Sequence, residues 1–412
     1  MSAPRGDCPS LLAPMASGDG LLLRVKPRAA TLTAGQAERV AAGARRYGNG
    51  LVELTNRGHL QLRGFAGPGV DGFAGEMARI GLAAAEPRAE AVRNVLADPL
   101  GPDDPAAPFD SHRLAHRLSA ALEGDPALHG LPHKFGLMVD AGTALPLAGW
   151  TADIMVRRAG AGIAIALDGG DRALCLPLEA AEDAVRRLLA AFRSWMGEQD
   201  MPAPRMRAMV AERGSGAVFD AAGLRGEPGP QRGTAPTRPP AGYTPLAGGG
   251  FFQAGAPFGV LDAAALAALA GIARRFADGR IRIAPWKAAV LCGVARVHAE
   301  ALRDAAGGAG FAVEPDDPRQ RIVACAGRPR CASARADTRA DAARLVAMDA
   351  VPAGLLHVSG CAKGCAHPGP SPLTLVATEA GYDLVHSGRA GDAPARGGLT
   401  LARAAALCGP RP

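Results

Sequence analysis

One pattern of apolar and polar residues occurs twice in the chain. The segments "AERVAAGARRYGNGLVELTNRGHLQLRGF", from Ala37, and "LAALAGIARRFADGRIRIAPWKAAVLCGV", from Leu266, share a pair of arginines followed by a glycine turn. Each segment predicts an amphipathic helix and then a strand with alternating apolar residues. A further strand-like run precedes each helix, "GLLLRVKP" in the first copy and "GGFFQAG" in the second. Each copy therefore predicts a strand–helix–strand unit, about half of a ferredoxin-like fold.

A unit of this size cannot cover its own sheet, so we expect the two copies to pair about a pseudo-twofold axis. The predicted half-domains are 15–75 and 249–305, and a larger α+β domain follows each, at 85–224 and 315–410. Residues 225–248 are rich in proline and glycine and predict a linker. The predicted fold class is α+β, a pseudo-twofold duplication with two ferredoxin-like half-domains and two larger α+β domains.

Composition narrows the choice of partners. The chain has 412 residues, of which 48% are hydrophobic, and a formal net charge of +7. Its basic residues are scattered, which favours a small anionic ligand such as a polycarboxylate or phosphate over nucleic acid. The sequence contains no apolar run of about 18 residues and no apolar leader near its start. We therefore expect a cytoplasmic protein that neither binds nucleic acid nor enters a membrane.

The eight cysteines fall into two groups. Four are isolated in the sequence and are expected to act as small apolar side chains: Cys8, Cys175, Cys292 and Cys408. The other four form two tight pairs, Cys325-x5-Cys331 and Cys361-x3-Cys365. A reducing compartment disfavours disulfides, and structural zinc sites prefer shorter spacings than the first pair has. A [4Fe–4S] cluster accepts wider spacings, because each thiolate binds a different corner of a cube.

The residues around these cysteines also favour a cluster. Arg328, Arg330 and Lys363 can offset the negative charge of a cluster held by four thiolates. Nearby glycines allow backbone N–H groups to approach the sulfurs. Iron–sulfur is therefore the favoured interpretation of the four cysteines. A non-enzymatic module that binds zinc through them stays open as an alternative.

Three motifs in the first half of the chain, together with the duplication and the cysteine pairs, resemble the nitrite/sulfite reductase superfamily. The motifs are "LTNRGHLQLRG" from Leu54, "VRNVLADPLG" from Val92 and "LPHKFG" from Leu131. In those reductases, basic residues of the motifs surround a siroheme. The last cysteine of the C-x3-C pair, by position Cys365, bridges the cluster and the siroheme iron. The resemblance implies that Cys325, Cys331, Cys361 and Cys365 hold a [4Fe–4S] cluster.

Within the superfamily, the N-terminal "CPSLLAPMASGDGLLLRVKP" is most similar to the precorrin-3B synthase family. That resemblance implies a monooxygenase of cobalamin biosynthesis, which uses dioxygen and a reductant to hydroxylate precorrin-3A and close a γ-lactone. It also implies an external NAD(P)H-linked electron donor and, in addition to the cluster, a mononuclear non-haem iron. "GPGVDG" from Gly67 has the letters of a dinucleotide-binding loop, but a plain turn is the better prediction there because Pro68 removes a backbone N–H.

One departure from the reductase pattern affects the choice of ligand. The reductases have a second lysine after L-P-x-K-F, where this chain has Gly136. A site built for nitrite or sulfite would lose a charged donor there. The retained Arg57, Arg93 and Lys134 suit the carboxylates of a tetrapyrrole substrate instead. The alternative is a siroheme-dependent nitrite or sulfite reductase, with siroheme in the same pocket.

Other polar residues are candidates with weaker support. Arg63 is expected on the same strand face as Arg57 and could add to the basic lining, whereas Asn94 is equally compatible with ligand binding and with a turn. Candidate ligands of a mononuclear iron include four histidines: His59, His133, His357 and His367. None of them is assigned, and no catalytic acid or base is predicted.

Overall fold

The computed structural model describes residues 9–229 and 238–409, and these residues form two halves built on the same plan. Cys8, expected as an apolar side chain, lies outside them. Each half contains a small sheet packed on a helix, followed by a second sheet with helices. The α+β class and the duplicated arrangement predicted from the sequence are confirmed.

The first small unit comprises five strands and two helices. These are β1 (Met15–Ser17), β2 (Gly20–Val25), β3 (Thr31–Thr33), α1 (Ala34–Tyr47), β4 (Leu51–Leu54), β5 (Leu60–Phe65) and α2 (Gly67–Arg79). A capping box at Thr33 and Gln36 begins α1, because the Thr33 hydroxyl accepts the Gln36 N–H and the Gln36 side chain accepts the Thr33 N–H. The glycine-rich segment predicted as a plain turn is instead the first turn of α2, with Pro68 at a position that needs no N–H donor.

The larger domain of the first half follows. Its elements are α3 (Pro87–Val92), β6 (Val95–Ala97), α4 (Ser111–Gly124), β7 (Leu137–Asp140), β8 (Ile154–Ala159), β9 (Gly162–Leu167), β10 (Arg172–Leu176), α5 (Ala181–Gly197), α6 (Met206–Arg213), α7 (Ser215–Ala221) and β11 (Glu227–Pro228). Strands β6, β7 and β8 are parallel neighbours, and β8, β9, β10 and β11 continue the sheet antiparallel.

The second small unit repeats the first. It comprises β12 (Gly242–Leu246), β13 (Gly249–Gly255), β14 (Val260–Asp262), α8 (Ala263–Phe276), β15 (Arg280–Ala284), β16 (Ala288–Cys292) and α9 (Ala299–Gly308). Strand β12 lies inside the predicted linker 225–248, because the segment after Gly242 pairs with β13 as a hairpin. The short strand β11 also lies inside that predicted linker.

The two small units exchange one strand each. Strand β3 of the first unit pairs with β15 of the second, with Leu32 opposite Ile281. In return, β14 of the second unit pairs with β4 of the first, with Leu261 opposite Val52. The two five-stranded sheets therefore have equivalent strand orders, β1-β2-β5-β4-β14 and β12-β13-β16-β15-β3. Neither sheet is complete without a strand from the other unit.

The last domain carries the paired cysteines. Its elements are β17 (Ile322–Ala324), α10 (Thr338–Ala347), β18 (Leu356–Ser359), β19 (Ser371–Thr378), β20 (Gly381–Gly388), β21 (Arg396–Leu399) and α11 (Leu401–Cys408). As in the first half, three parallel strands, here β17, β18 and β19, are extended by antiparallel ones. Among the described residues, no helix is both long and apolar enough to cross a membrane.

Candidate functional site

The four paired cysteines lie in two loops at one edge of the last sheet. Cys325 directly follows β17, and Cys361 lies two residues beyond the end of β18. These strands are parallel neighbours, with Ala324 opposite Val358. The carboxyl ends of adjacent parallel strands meet at the same sheet edge, so the C-x5-C and C-x3-C loops are neighbours.

Hydrogen bonds join the two cysteine loops. The Gly360 N–H donates to the Cys325 sulfur at 3.1 Å, and the Arg335 N–H donates to the Gly360 carbonyl at 2.8 Å. A Cβ at position 360 would lie 2.7 Å from the Ala334 Cβ, so glycine is needed for this close approach. An N–H···S bond of this kind stabilises a thiolate and a cluster bound to it.

The chemistry of the four cysteines fits an iron–sulfur cluster. Cys325, Cys331 and Cys361 are half-buried and form no disulfide, and Cys365 is exposed. In the described part of the chain, no three His, Cys, Asp or Glu side chains are grouped to hold a single metal ion. A [4Fe–4S] cube does not require such a group, because each thiolate binds a different iron.

The basic residues of these loops form hydrogen bonds or ion pairs within the cysteine domain. The Arg328 guanidinium donates to the Ala334 carbonyl at 2.8 Å, and Lys363 donates to the Ser333 hydroxyl at 3.3 Å. Arg330 lies 3.5 Å from the Asp337 carboxylate. Their predicted role as counter-charges to a cluster stays a prediction.

The first half has the same two loops without cysteines. Asp98 directly follows β6, as Cys325 follows β17, and it is fully buried. Its carboxylate accepts the Ala141 N–H at 3.0 Å and the Thr143 hydroxyl at 3.0 Å, both from the loop after β7. A carboxylate therefore joins the loops of the first half where the Cys325 sulfur joins those of the second.

A cluster of positive charge surrounds His59 in the first half. His59 is 2% exposed, and its Nδ1 has no hydrogen-bond partner. Burial, and then the charges of Lys26, Arg24, Arg57 and Arg93, hold the pKa of this imidazole well below its usual value. These residues define what we call the basic pocket: Arg24, Lys26, Arg57, His59 and Arg93, with Lys134 in an adjoining loop. Such a concentration of cations attracts a polyanionic ligand.

The loop that carries Arg57 is fixed at a junction of domains. Gly58 has a φ of +68°, and a Cβ there would lie 2.3 Å from the Ala30 Cβ and 3.1 Å from the Ile283 carbonyl. The Thr55 hydroxyl accepts the N–H groups of Arg57 and His59. Arg57 is half-buried in this turn, before β5 begins. The turn that carries Arg57 therefore contacts both halves of the chain, at Ala30 and at Ile283.

Asn94 positions the loop that carries Lys134. Its side-chain amide donates to the carbonyls of His133 and Phe135, at 3.1 and 3.0 Å, on either side of Lys134. The Gly136 N–H in turn donates to the Asp153 carboxylate at 2.8 Å. Lys134 is half-buried. The arrangement gives Asn94 a structural function in the loop beyond the two roles considered from sequence.

Arg93 is engaged inside the protein. Its side chain is 2% exposed, and it lies 2.9 Å from Glu90 and 3.2 Å from Glu123. It also donates to the Lys26 carbonyl at 3.1 Å. In this structure Arg93 therefore links Lys26 of the basic pocket to Glu90 and Glu123. Direct contact of Arg57, Arg93 and Lys134 with a ligand stays a prediction.

Arg63 lies away from Arg57, next to the C-x5-C loop. Its guanidinium donates to the carbonyl of Arg330 at 2.7 Å. The sequence predicted that Arg63 and Arg57 share one strand face, and this prediction was wrong. Arg57 lies in the turn before β5, where the two-residue alternation of a strand does not apply.

Two further polar groups lie beside the cysteine loops. His357 on β18 is fully buried with neither ring nitrogen hydrogen-bonded, and its ring centroid is 5.9 Å from that of His367. His133 is half-buried, and no iron ligand is assigned among these histidines.

Lys287, which sequence reasoning missed, has a pKa lowered to about 8 by burial and by Arg238. The internal repeat could have indicated this position. When Gly279 is aligned with Gly50, Lys287 aligns with Gly58, which lies in the loop that carries Arg57.

Comparisons with known proteins agree with this geometry. Residues 13–78 and 246–308 match the nitrite/sulfite reductase ferredoxin-like half domain. The structure of the NirA protein of Mycobacterium tuberculosis superposes with a TM-score of 0.75 at 18% identity, over 89% of this chain and 75% of that one. A chloroplastic ferredoxin–nitrite reductase of Oryza sativa subsp. japonica is 24% identical over 379 residues, 84% of this chain and 64% of the relative.

The duplicated half-domains and their sheets define a protein of the nitrite/sulfite reductase class. Within that class, a precorrin-3B synthase from Sinorhizobium sp is 33% identical over 409 residues, covering 95% of this chain and 85% of the relative. The chain belongs to the precorrin-3B synthase family, and it is an enzyme of the oxidoreductase type.

Proposed function

We propose that the chain is a monooxygenase of cobalamin biosynthesis that hydroxylates precorrin-3A with dioxygen and closes a γ-lactone, as a precorrin-3B synthase. The observation that supports this most is the basic pocket, where burial and then the charges of Lys26, Arg24, Arg57 and Arg93 hold the pKa of His59 well below its usual value. A tetrapyrrole with acetate and propionate side chains supplies the carboxylates that such a pocket attracts. The family relationship over nearly the whole chain supports the same substrate.

The residues of the pocket have distinct tasks in this proposal. Arg57 of the basic pocket and Lys134 of the adjoining loop bind substrate carboxylates, because both side chains are only half-buried. Asn94 keeps the Lys134 loop in place through its hydrogen bond to the His133 carbonyl, whereas Lys26 and Arg93 join the segment after β2 to the end of α3. Positioning of this kind can supply about 7–11 kcal/mol of a reaction barrier, because the reacting groups are held together before the reaction begins.

The four cysteines would hold a [4Fe–4S] cluster, which supplies electrons one at a time when bound. The Gly360 N–H and the loop hydrogen bonds keep the Cys325 sulfur at its place. The electrons come from an external NAD(P)H-linked donor. The described residues do not fit a mononuclear iron, because no three ligand side chains are grouped for one ion. No step is assigned to such an iron.

The test is turnover of precorrin-3A by the anaerobically purified protein, supplied with a reductant and isotopically labelled dioxygen. We expect a product that has gained one labelled oxygen atom. In the variant Arg57→Gln, the KM should rise about 10- to 100-fold, because one charged hydrogen bond contributes roughly 1.5–3 kcal/mol. Arg45→Gln is the matched control, since Arg45 is exposed on α1 and carries the same charge.

Two results would count against the proposal. Consumption of nitrite or sulfite by the reduced protein, with no change in precorrin-3A, would establish the reductase alternative. Equal KM values for Arg57→Gln and Arg45→Gln would show that Arg57 makes no contact with the substrate.

A further inference from the structure

A hairpin of the first half of the chain contacts the C-x5-C loop of the second half. Ser17 is the last residue of β1, and Gly18 and Asp19 form the turn to β2. The Ser17 hydroxyl donates to the Arg330 carbonyl at 2.9 Å. A Cβ at Gly18 would lie 3.0 Å from the Pro329 carbonyl and 3.1 Å from the Arg330 carbonyl, so the turn packs closely on the loop backbone.

Arg63 on β5 lies at the centre of this contact and is 3% exposed. It holds the Asp19 carboxylate with two hydrogen bonds of 2.9 Å each. The same guanidinium donates to the Ser17 hydroxyl and to the Arg330 carbonyl, each at 2.7 Å. One planar side chain thus joins the hairpin to the residue immediately before Cys331.

The charges around Arg63 form a buried network. Glu53 on β4 lies 3.5 Å from Arg63 and also pairs with Arg339 on α10. Burial alone would lower the pKa of Arg63, but Glu53 and Asp19 more than offset it, and Cys331 acts in the same direction. Arg63 therefore stays cationic, close to the Cys331 side chain.

We propose that Arg63 is a positioning residue of the cluster: it fixes the C-x5-C loop through the Arg330 carbonyl and places a buried positive charge beside Cys331. This inference rests on the proposed [4Fe–4S] cluster. A nearby cation stabilises the reduced cluster, which has one more negative charge, and so raises the reduction potential. A loop fixed from the other half of the chain also releases iron more slowly.

The test compares Arg63→Gln with wild type and with Arg45→Gln, which removes the same charge from an exposed site of the same unit. The reduction potential is measured by anaerobic redox titration, followed by the electron paramagnetic resonance signal of the reduced cluster. Cluster loss in air is followed by visible absorbance. For Arg63→Gln we expect a more negative potential and faster cluster loss. Two effects make the potential more negative in this variant. The cation is removed, and the Asp19 carboxylate keeps its negative charge without its partner.

Arg63→Lys keeps the experiment decisive if the glutamine variant does not fold. Lysine retains the charge but cannot contact Asp19, Ser17 and the Arg330 carbonyl in the same planar geometry. We expect faster cluster loss than in wild type, with a smaller change in potential than in Arg63→Gln. A wild-type potential and wild-type cluster lifetime in the Arg63 variants would overturn this inference alone. A wild-type protein without a cluster would overturn the proposed function as well.

Discussion

Gly136 is the residue at which this chain departs from the reductase motif beside the basic pocket. The L-P-x-K-F motif of nitrite and sulfite reductases is followed by a second lysine, and this chain has no side chain there. A Cβ at this position would lie 3.4 Å from the Asn94 carbonyl, which is an ordinary contact. The backbone therefore accepts a Cβ at this position, and under the proposed function the missing lysine follows from the change of ligand.

Introducing that lysine should increase the affinity for small oxyanions. We expect Gly136→Lys to bind sulfite or nitrite at least about tenfold more tightly than wild type, because a charged hydrogen bond contributes roughly 1.5–3 kcal/mol. Isothermal titration measures the change. Gly136→Ala is the matched control, since it adds the Cβ without the charge. Equal affinities for the two variants would show that the ammonium group does not reach the bound anion.

His357 should make the folded protein sensitive to mild acid. Burial, with the charges of His367 and Lys287, lowers its pKa to about 3. The unfolded chain binds the proton near pH 6.5, so the free energy of unfolding falls as pH decreases through 6.5 towards 3. His357 alone should account for a loss of about 2 kcal/mol between about pH 7.5 and pH 5.

Chemical denaturation of His357→Gln at these two pH values measures that contribution. We expect the variant to lose less stability on acidification than wild type. His386→Gln, at an exposed position on β20, is the control and should follow the wild-type curve. If His357→Gln and wild type lose the same free energy, the imidazole of His357 is not held neutral by its surroundings.

Strands β3 and β14 make each small sheet depend on the other unit. Leu32 on β3 is fully buried, and it lies in a sheet whose other four strands come from the second unit. Leu261 on β14 occupies the equivalent place in the first sheet. The two sheets should therefore unfold together.

Leu32→Ala tests this dependence between units. Truncation of a buried leucine lowers the free energy of unfolding by about 2–5 kcal/mol, because it removes apolar contacts and leaves a cavity. Hydrogen exchange with mass spectrometry should show equal losses of protection in β4 and β15. Leu407→Ala, at an exposed position on α11, is the control, and we expect it to change the free energy of unfolding by less than about 0.5 kcal/mol. Loss of protection in β15 alone would contradict the coupled unfolding.

The sequence predicted the duplicated elements well because their periodicity is local. Residues 20–25 and 249–255, for instance, form strands where the two repeats placed them. Periodicity could not predict the strand exchange, since it identifies a buried face without identifying the neighbouring strand. The same limit explains Arg63, whose partners Asp19 and Arg330 are distant in the sequence.

The candidate site was predictable only in part. The spacing of the cysteines predicted two loops, and parallel pairing of β17 with β18 places them side by side. The environment of Arg93 was predictable only in part, because Glu90 is a local partner three residues away whereas Glu123 reaches it through the packing of α3 and α4. Lys287 was missed because a lysine in a turn has no periodic pattern that distinguishes a functional position from a solvated one.

At the scale of the whole molecule, the two halves share a plan but differ in their chemistry. The loops after β6 and β7 are joined by the Asp98 carboxylate, whereas the loops after β17 and β18 carry four thiols. Arg63 and the hairpin of the first half hold one of the thiol loops. The duplication thus places a basic pocket in one half and a candidate cluster site in the other.

The cofactor content of the anaerobically purified protein shows whether the four cysteines hold a [4Fe–4S] cluster and whether a tetrapyrrole is bound as a resident cofactor. One sample is quantified for iron, acid-labile sulfide, zinc and extractable tetrapyrrole. We expect about four irons and four sulfides per chain with no bound siroheme, because the basic pocket receives its tetrapyrrole as substrate. Stoichiometric siroheme, or one zinc without sulfide, would contradict this expectation.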